Sequence, residues 1–314
     1  MEFRGRVNPE LLEGLSLLPA LRLPDDLAKV RSFEPLPRER SPLVRQSRVR
    51  MTGAGGQEML LKIYEPEQRP EAELPALLWI HGGGYILGHP DMEDAICEQF
   101  VLEAGCAVFS PDYRLAPDSP YPAAIEDCYA ALLWLESAAA ERRIDRSRIA
   151  IGGASAGGGL TAALALLARD RGAPPIMFQM PLYPMLDKRN VTPSSHEIVD
   201  PSVWNRENNQ AAWRMYLGTE DSDSPYASPS LASSLEGLPP AYLCVGQLDA
   251  FRDETIDYAA RLAQAGVDVE FHLYPGGYHA FENFIREAEI SKRARGDYVR
   301  ALAEAFARSR RKQE

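Results

Sequence analysis

Two glycine-rich stretches of this chain hold the residues best placed to do chemistry. His81-Gly82-Gly83-Gly84 follows the apolar run Leu77-Leu78-Trp79-Ile80. Gly153-Ala154-Ser155-Ala156-Gly157 follows another, Ile149-Ala150-Ile151. Successive glycines let backbone N–H groups turn towards one point without steric cost, so the first stretch can hold an oxyanion. The second has the Gly-x-Ser-x-Gly form of a sharp strand-to-helix turn that lifts a serine hydroxyl out of a sheet. The helix expected after it aims its positive end at Ser155. A serine that only caps an ordinary helix is the competing reading of the second stretch, and a flexible surface loop that of the first. Taken together the two specify acyl transfer, one supplying the attacking oxygen and the other stabilising the charge that attack creates.

Such a serine needs a base, and there are five histidines. His81 belongs to the glycine loop and is expected to order it. His89 precedes a proline, His196 lies in a polar region without strands, and His272 sits inside a strand-like run. His279 follows that run after Pro275-Gly276-Gly277-Tyr278, in a loop able to reach the serine. An imidazole, with its ordinary pKa of about 6.5, suits proton shuttling near neutrality. The carboxylate that would hold it in one tautomer is Asp249, just beyond Ala241-Tyr242-Leu243-Cys244-Val245-Gly246-Gln247-Leu248. Asp253 and Asp257 compete but fall on the helix that follows, and Glu254 reads as a charge in that helix's first turn. The chain order Ser155, Asp249, His279 is the order used by α/β-hydrolases.

These residues need a scaffold, and the chain offers an α/β one. Residues 48–51 and 59–64 read as an antiparallel hairpin about the turn 53–56. Short apolar runs at 76–80, 107–110, 148–152, 176–180, 241–245 and 269–274 read as buried strands. Helical segments at 91–104, 122–138, 156–170, 253–265 and 280–308 alternate with them, which predicts a parallel sheet with helices on both faces. The alternation breaks over 187–226, where a helix-like piece at 202–217 stands without a strand. An insertion of this length, lying after the strand that follows the serine, should cover the C-terminal edge of the sheet, where open α/β sheets bind ligands. The N-terminal helical patches near 8–18 and 24–32 have no sheet role either. The expected division is therefore a helical cap from 1–44 and 187–226, and a catalytic domain from 45–186 and 227–314.

Bulk properties narrow the field. The chain of 314 residues is long enough for one large α/β domain with an insertion. A formal charge of −11 argues against a nucleic-acid partner, which needs a basic footprint. The basic run 308–312 reads as a solvated helix end. No stretch approaches the roughly 18 apolar residues of a membrane span, and the leucines near the N-terminus read as an amphipathic helix rather than a signal peptide. Cys97, Cys106, Cys128 and Cys244 lack metal spacing and read as buried free thiols in a reducing compartment, which predicts a cytoplasmic location.

The chain resembles the hormone-sensitive-lipase-like carboxylesterases, the bacterial family IV esterases. The resemblance runs from about Leu77 to Phe281. It rests on His81 to Gly84, on Tyr113-Arg114-Leu115-Ala116-Pro117, on the serine turn, on Asp249 with Arg252-Asp253-Glu254, and on His279-Ala280-Phe281. It implies an α/β-hydrolase fold with a mostly parallel eight-stranded sheet, flanking helices and a helical cap. It also implies Ser155 as nucleophile, His279 as base and Asp249 as its orienter, with oxyanion donors among the N–H groups of Gly82, Gly83, Gly84 and Ala156. Two positions depart from the family pattern. Ala154 stands where an acidic residue usually precedes the serine, so a supporting hydrogen bond is lost or replaced. Ala280 stands where glycine commonly follows the histidine. The run from Tyr113 to Pro122 is read as structural, able to hold a cis peptide, with Arg114 paired to a nearby carboxylate.

The expected activity is hydrolysis of short- to medium-chain acyl esters, with Tyr183, Trp204, Trp213 and Phe281 as candidate pocket residues. No metal or organic cofactor is required. Amide, lactone or carbamate cleavage at the same site is an alternative, and so is a non-catalytic small-molecule receptor, although such proteins tend to lose the base. A dinucleotide-binding oxidoreductase is disfavoured, because Gly157-Gly158-Gly159 lies inside a helix and the next strand lacks a terminal acid for a ribose. The strand 269–274 could be a sheet edge at which two copies pair.

Overall fold

The computed structural model describes residues 3–33, 38–219 and 222–311. Lys312, the end of the basic run, and the remaining residues of the expected cap and catalytic segments lie outside them.

The strands form one sheet of eight in the order β1-β2-β4-β3-β5-β6-β7-β8. Strands β1 (Val44–Thr52) and β2 (Glu58–Pro66) make the expected hairpin, pairing antiparallel from Thr52 opposite Glu58 to Val44 opposite Pro66. β2 runs antiparallel to β4 (Ala107–Pro111), and every later pairing is parallel. β3 (Leu74–Ile80) is buried along its whole length, as a central strand covered on both faces requires. β5 (Ile144–Ala154), β6 (Phe178–Leu182), β7 (Ala241–Leu248) and β8 (Val269–Tyr278) continue the sheet. β6 starts two residues later than its composition suggests, because the apolar run from Ile176 to Met180 carries no alternation to fix a start.

Helices flank this sheet. α3 (Asp94–Gln99), α4 (Ala123–Ala138), α5 (Ala156–Arg171) and α8 (Arg252–Gln264) connect strands, and α10 (Glu289–Arg311) closes the chain. Two expected helices are broken. The segment 91–104 is a 3₁₀ turn at Pro90–Glu93, then α3, then a π turn at Phe100–Ala104 ended by left-handed Gly105. The segment 280–308 divides into α9 (Phe281–Phe284) and α10. α10 starts where Glu10, on α1 (Pro9–Leu17), accepts the backbone N–H of Glu289 at 2.7 Å. That cap comes from the far end of the sequence, so local pattern could not reveal it.

The N-terminal segment carries α1 and α2 (Leu27–Arg31), and the insertion carries α6 (Pro193–Glu197) and α7 (Arg206–Leu217). They meet directly. The Asn208 side chain accepts from the Leu23 N–H at 3.0 Å and donates to the Leu21 carbonyl at 2.9 Å. Arg6 pairs with Glu197.

The strand order reverses direction between β3 and β5: the chain passes from β3 out to β4, then crosses back to the other side of β3. Loops leaving the C-terminal ends of β3 and β5 therefore diverge and leave a crevice, the usual ligand position in such sheets.

Candidate active site

The sheet register brings the two glycine-rich stretches together. Ile80 at the end of β3 lies opposite Gly153 near the end of β5, so the loop 81–84 and the serine turn leave one edge side by side. Their approach leaves no room for side chains. A Cβ on Gly153 would lie 2.5 Å from the Gly157 carbonyl and 2.6 Å from the Ile80 carbonyl. Glycine there is a packing requirement.

Ser155 has φ 58° and ψ −118°, a strained conformation for a residue with a side chain. Backbone bonds hold it there. Its N–H donates to the Leu182 carbonyl at 2.9 Å, and its carbonyl accepts from Gly159 at 2.9 Å and Met185 at 3.0 Å. Ala154, buried where an acid was expected from the family pattern, offers no side-chain hydrogen bond. The neighbouring strand and α5 anchor the turn through the backbone instead.

At the other end of the sheet, Leu248 of β7 pairs with Tyr278 of β8, so Asp249 and His279 emerge together. The Nδ1–H of His279 donates to Asp249 Oδ2 at 2.8 Å, and His279 Nε2 lies 2.9 Å from Ser155 Oγ. Asp249 is wholly buried, and its other oxygen accepts the Phe251 N–H at 2.9 Å. Ser155 is 7% exposed and His279 8%, and both line a cavity of 1240 Å³. The imidazole is held by aromatic edges: Tyr183 at 5.2 Å and Phe251 at 5.1 Å between ring centroids, both near perpendicular.

Gly82, Gly83 and Gly84 line the same cavity beside Ser155. Gly83 and Gly84 have φ of 120° and 62°, which only glycine adopts without strain. The Gly83 carbonyl accepts from Ile86 and Leu87 at 3.1 and 2.8 Å, turning the loop back on itself. Among the described residues no backbone acceptor takes the N–H of Gly82, Gly83, Gly84 or Ala156. Ala156 is buried behind the serine as the first residue of α5.

His81 orders this loop, as its sequence position suggested. It is buried, stacks on Tyr113 at 4.1 Å, and hydrogen bonds through Nδ1 to the Gly82 carbonyl at 2.8 Å. Burial pulls its pKa down to about 4, so it is neutral at pH 7. The Tyr113 hydroxyl donates to the His81 carbonyl at 2.9 Å. Arg114 is clamped on buried Asp127 by bonds of 2.7 and 2.9 Å, and the Ala116–Pro117 and Tyr121–Pro122 peptides are cis.

Of the candidate pocket residues, Tyr183 and Trp204 line the cavity. Trp213 and Phe281 do not. Trp213 is buried against Tyr85 and Tyr216, and Phe281 is buried against Tyr274. Both sit on helices (α7 and α9) whose apolar faces turn to the core, a direction the sequence alone leaves open. Two carboxyl groups have roles that sequence reasoning missed. Glu254 lies in the first turn of α8, as expected, but it does more than sit there. It is buried and accepts the Leu186 N–H at 2.7 Å, and burial raises its pKa well above the usual carboxylate range. Glu282 is buried and accepts from the Tyr183 hydroxyl at 2.5 Å, which fixes that ring beside His279.

A sequence profile describing the α/β hydrolase fold matches residues 77–283. The chain belongs to the α/β-hydrolase family. This hydrolase is 40% identical over 272 residues to esterase LipI of Mycobacterium tuberculosis, covering 85% of each chain. It is 39% identical over 237 residues to carboxylesterase NlhH of the same species, covering 74% of each. Among solved structures it superposes on a bacterial heroin esterase with a TM-score of 0.90 at 38% identity, covering 97% of this chain and 99% of the other. The hydrolase thus falls with the hormone-sensitive-lipase-like carboxylesterases that its motifs resemble. No helix among its described residues is long and apolar enough to cross a membrane.

Proposed function

We propose that this carboxylic ester hydrolase uses Ser155 as nucleophile, His279 as general base and acid, and Asp249 to orient the imidazole. The observation that carries the assignment is the continuous relay from Asp249 Oδ2 through His279 to Ser155 Oγ, with links of 2.8 and 2.9 Å. Ser155 attacks the ester carbonyl while His279 Nε2 takes its proton. The tetrahedral oxyanion forms against N–H groups drawn from Gly82, Gly83, Gly84 and Ala156, and losing one such donor costs about 3 kcal/mol of transition-state stabilisation. His279 then returns the proton to the leaving alcohol. Water, activated the same way, attacks the acyl-enzyme and releases the acid.

The segments 1–44 and 187–226 form the cap of this reading, and the remaining chain the catalytic domain. In support, Leu21, Phe33 and Trp204 all line the cavity above Ser155. A cavity partly covered in this way suits small esters of short and medium acyl length better than an oil interface. Rates on nitrophenyl esters from acetate to palmitate test this. A maximum at the short to middle lengths is expected, and a maximum at palmitate overturns it. The four cysteines carry buried free thiols, which favours a reducing, cytoplasmic setting. The edge position of β8 in the sheet favours pairing between two copies of the chain.

A further inference from the structure

The cavity wall includes three arginines, Arg31, Arg114 and Arg286. Two are spent on the protein. Arg31 bonds to Asp118 at 2.5 Å and to the carbonyls of Ile86 and Ala116. Arg114 is held by Asp127 and the Ala54 carbonyl. Arg286, in the link between α9 and α10, is different. Among the described residues no carboxylate or carbonyl accepts from its guanidinium, although the group is half-buried.

The acidic groups on the same wall are committed elsewhere. Asp91 is taken by Lys62 and Arg48 and Asp118 by Arg31. Glu93 accepts from the Trp79 indole N–H at 3.0 Å, and burial pushes its pKa up, towards the neutral acid. Burial and the neighbouring Arg295 and Arg38 lower the Arg286 pKa. Glu282, the carboxyl that does act on it, is buried, bonded to Tyr183, and itself shifted towards neutrality. A desolvated guanidinium presents a planar fork of donors that matches a carboxylate.

We propose that Arg286 is a specificity-determining residue that receives a carboxylate on the substrate, so that the preferred esters carry an anionic terminus remote from the scissile carbonyl. The inference rests on Ser155 being the nucleophile of this cavity. Either the acyl or the alcohol part could carry the anion, and the probes below separate the two.

The test compares kcat/KM for two matched pairs at low salt: monoethyl adipate against ethyl hexanoate, and 6-acetoxyhexanoate against hexyl acetate. The ratio of anionic to neutral ester is measured in the wild type, Arg286→Gln and Arg286→Lys. In at least one pair the ratio is expected to fall about ten-fold in Arg286→Gln, to be partly kept in Arg286→Lys, and to shrink with added salt in the wild type. The pair that responds identifies the side bearing the anion. A ratio that is the same in wild type and Arg286→Gln for both pairs overturns the proposal. Ser155→Ala is run on all four esters. If it retains wild-type rates, the underlying nucleophile assignment fails instead, and the two failures are distinct.

Discussion

Gly82 and Ser155, 73 positions apart in the chain, face each other so closely that a Cβ on Gly82 would lie 3.4 Å from the serine Cβ and 2.9 Å from the Ala154 carbonyl. The oxyanion loop and the serine turn are thus a single packed unit, and the loop cannot move without the serine sensing it. In Gly82→Ala the new methyl must push the loop away from the turn. We expect kcat to fall about 10²- to 10³-fold, the usual effect of losing one oxyanion donor, with the far-UV spectrum preserved. Steady-state kinetics on a nitrophenyl ester check this, and an undiminished kcat contradicts the donor assignment.

Asp249 uses both its oxygens, one for His279 and one for the Phe251 N–H. Asparagine has a single acceptor oxygen, so Asp249→Asn leaves one of these donors facing an NH₂ group. A histidine in the wrong tautomer costs about 10⁴-fold in kcat in related triads. A loss of that order is predicted, borne by kcat rather than KM. A fall confined to KM would mean that Asp249 shapes binding and not the imidazole.

Burial holds His81 at about 4 in the folded protein, against about 6.5 when the chain is unfolded. Above the unfolded value its contribution to stability is fully present. As pH falls from about 6.5 towards about 4 the unfolded chain binds more protons, and stability drops by up to roughly 1.4 kcal/mol per pH unit. His81→Gln, which cannot titrate, is expected to show a shallower loss across that window, whatever its stability at pH 7. Urea unfolding at pH 7, 5.5 and 4.5 reads the slopes. Equal slopes for both proteins would exclude His81 as an acid-sensitive group.

Ala280, which follows the base, has φ 57° and ψ 28° in the left-handed region. That conformation costs an L-residue with a side chain about 1–2 kcal/mol, part of which glycine's greater unfolded-state freedom gives back. Ala280→Gly is therefore predicted to stabilise the fold by up to about 1 kcal/mol and to leave the order of acyl-chain preference intact. A clear drop in the urea midpoint would contradict the strain argument.

The parts of the site that sequence made legible are those set by local geometry. Ser155 and His81 to Gly84 could be placed because each follows an apolar strand, and a strand fixes where its outgoing loop points. Asp249 and His279 followed from the same rule applied to β7 and β8. What stayed hidden depended on contacts between distant segments. Trp213 is an aromatic of the insertion and Phe281 follows the base by two positions, but which face of α7 and α9 meets the core is decided by Tyr216, Tyr85 and Tyr274. Glu254 was legible as a first-turn charge of α8, but nothing near it in sequence announces the Leu186 N–H that it accepts. The pairing of Tyr183 with Glu282 spans 99 positions and has no local signature.

The most direct test of the Asp249–His279–Ser155 relay is covalent trapping. The protein is treated with diethyl 4-nitrophenyl phosphate and analysed by intact mass and peptide mapping, with loss of esterase activity followed in parallel. A single diethylphosphoryl adduct on Ser155, formed in step with inactivation and absent from Ser155→Ala, is the predicted result. Inactivation with the adduct on another residue, or full esterase activity in a protein phosphorylated at Ser155, would contradict it.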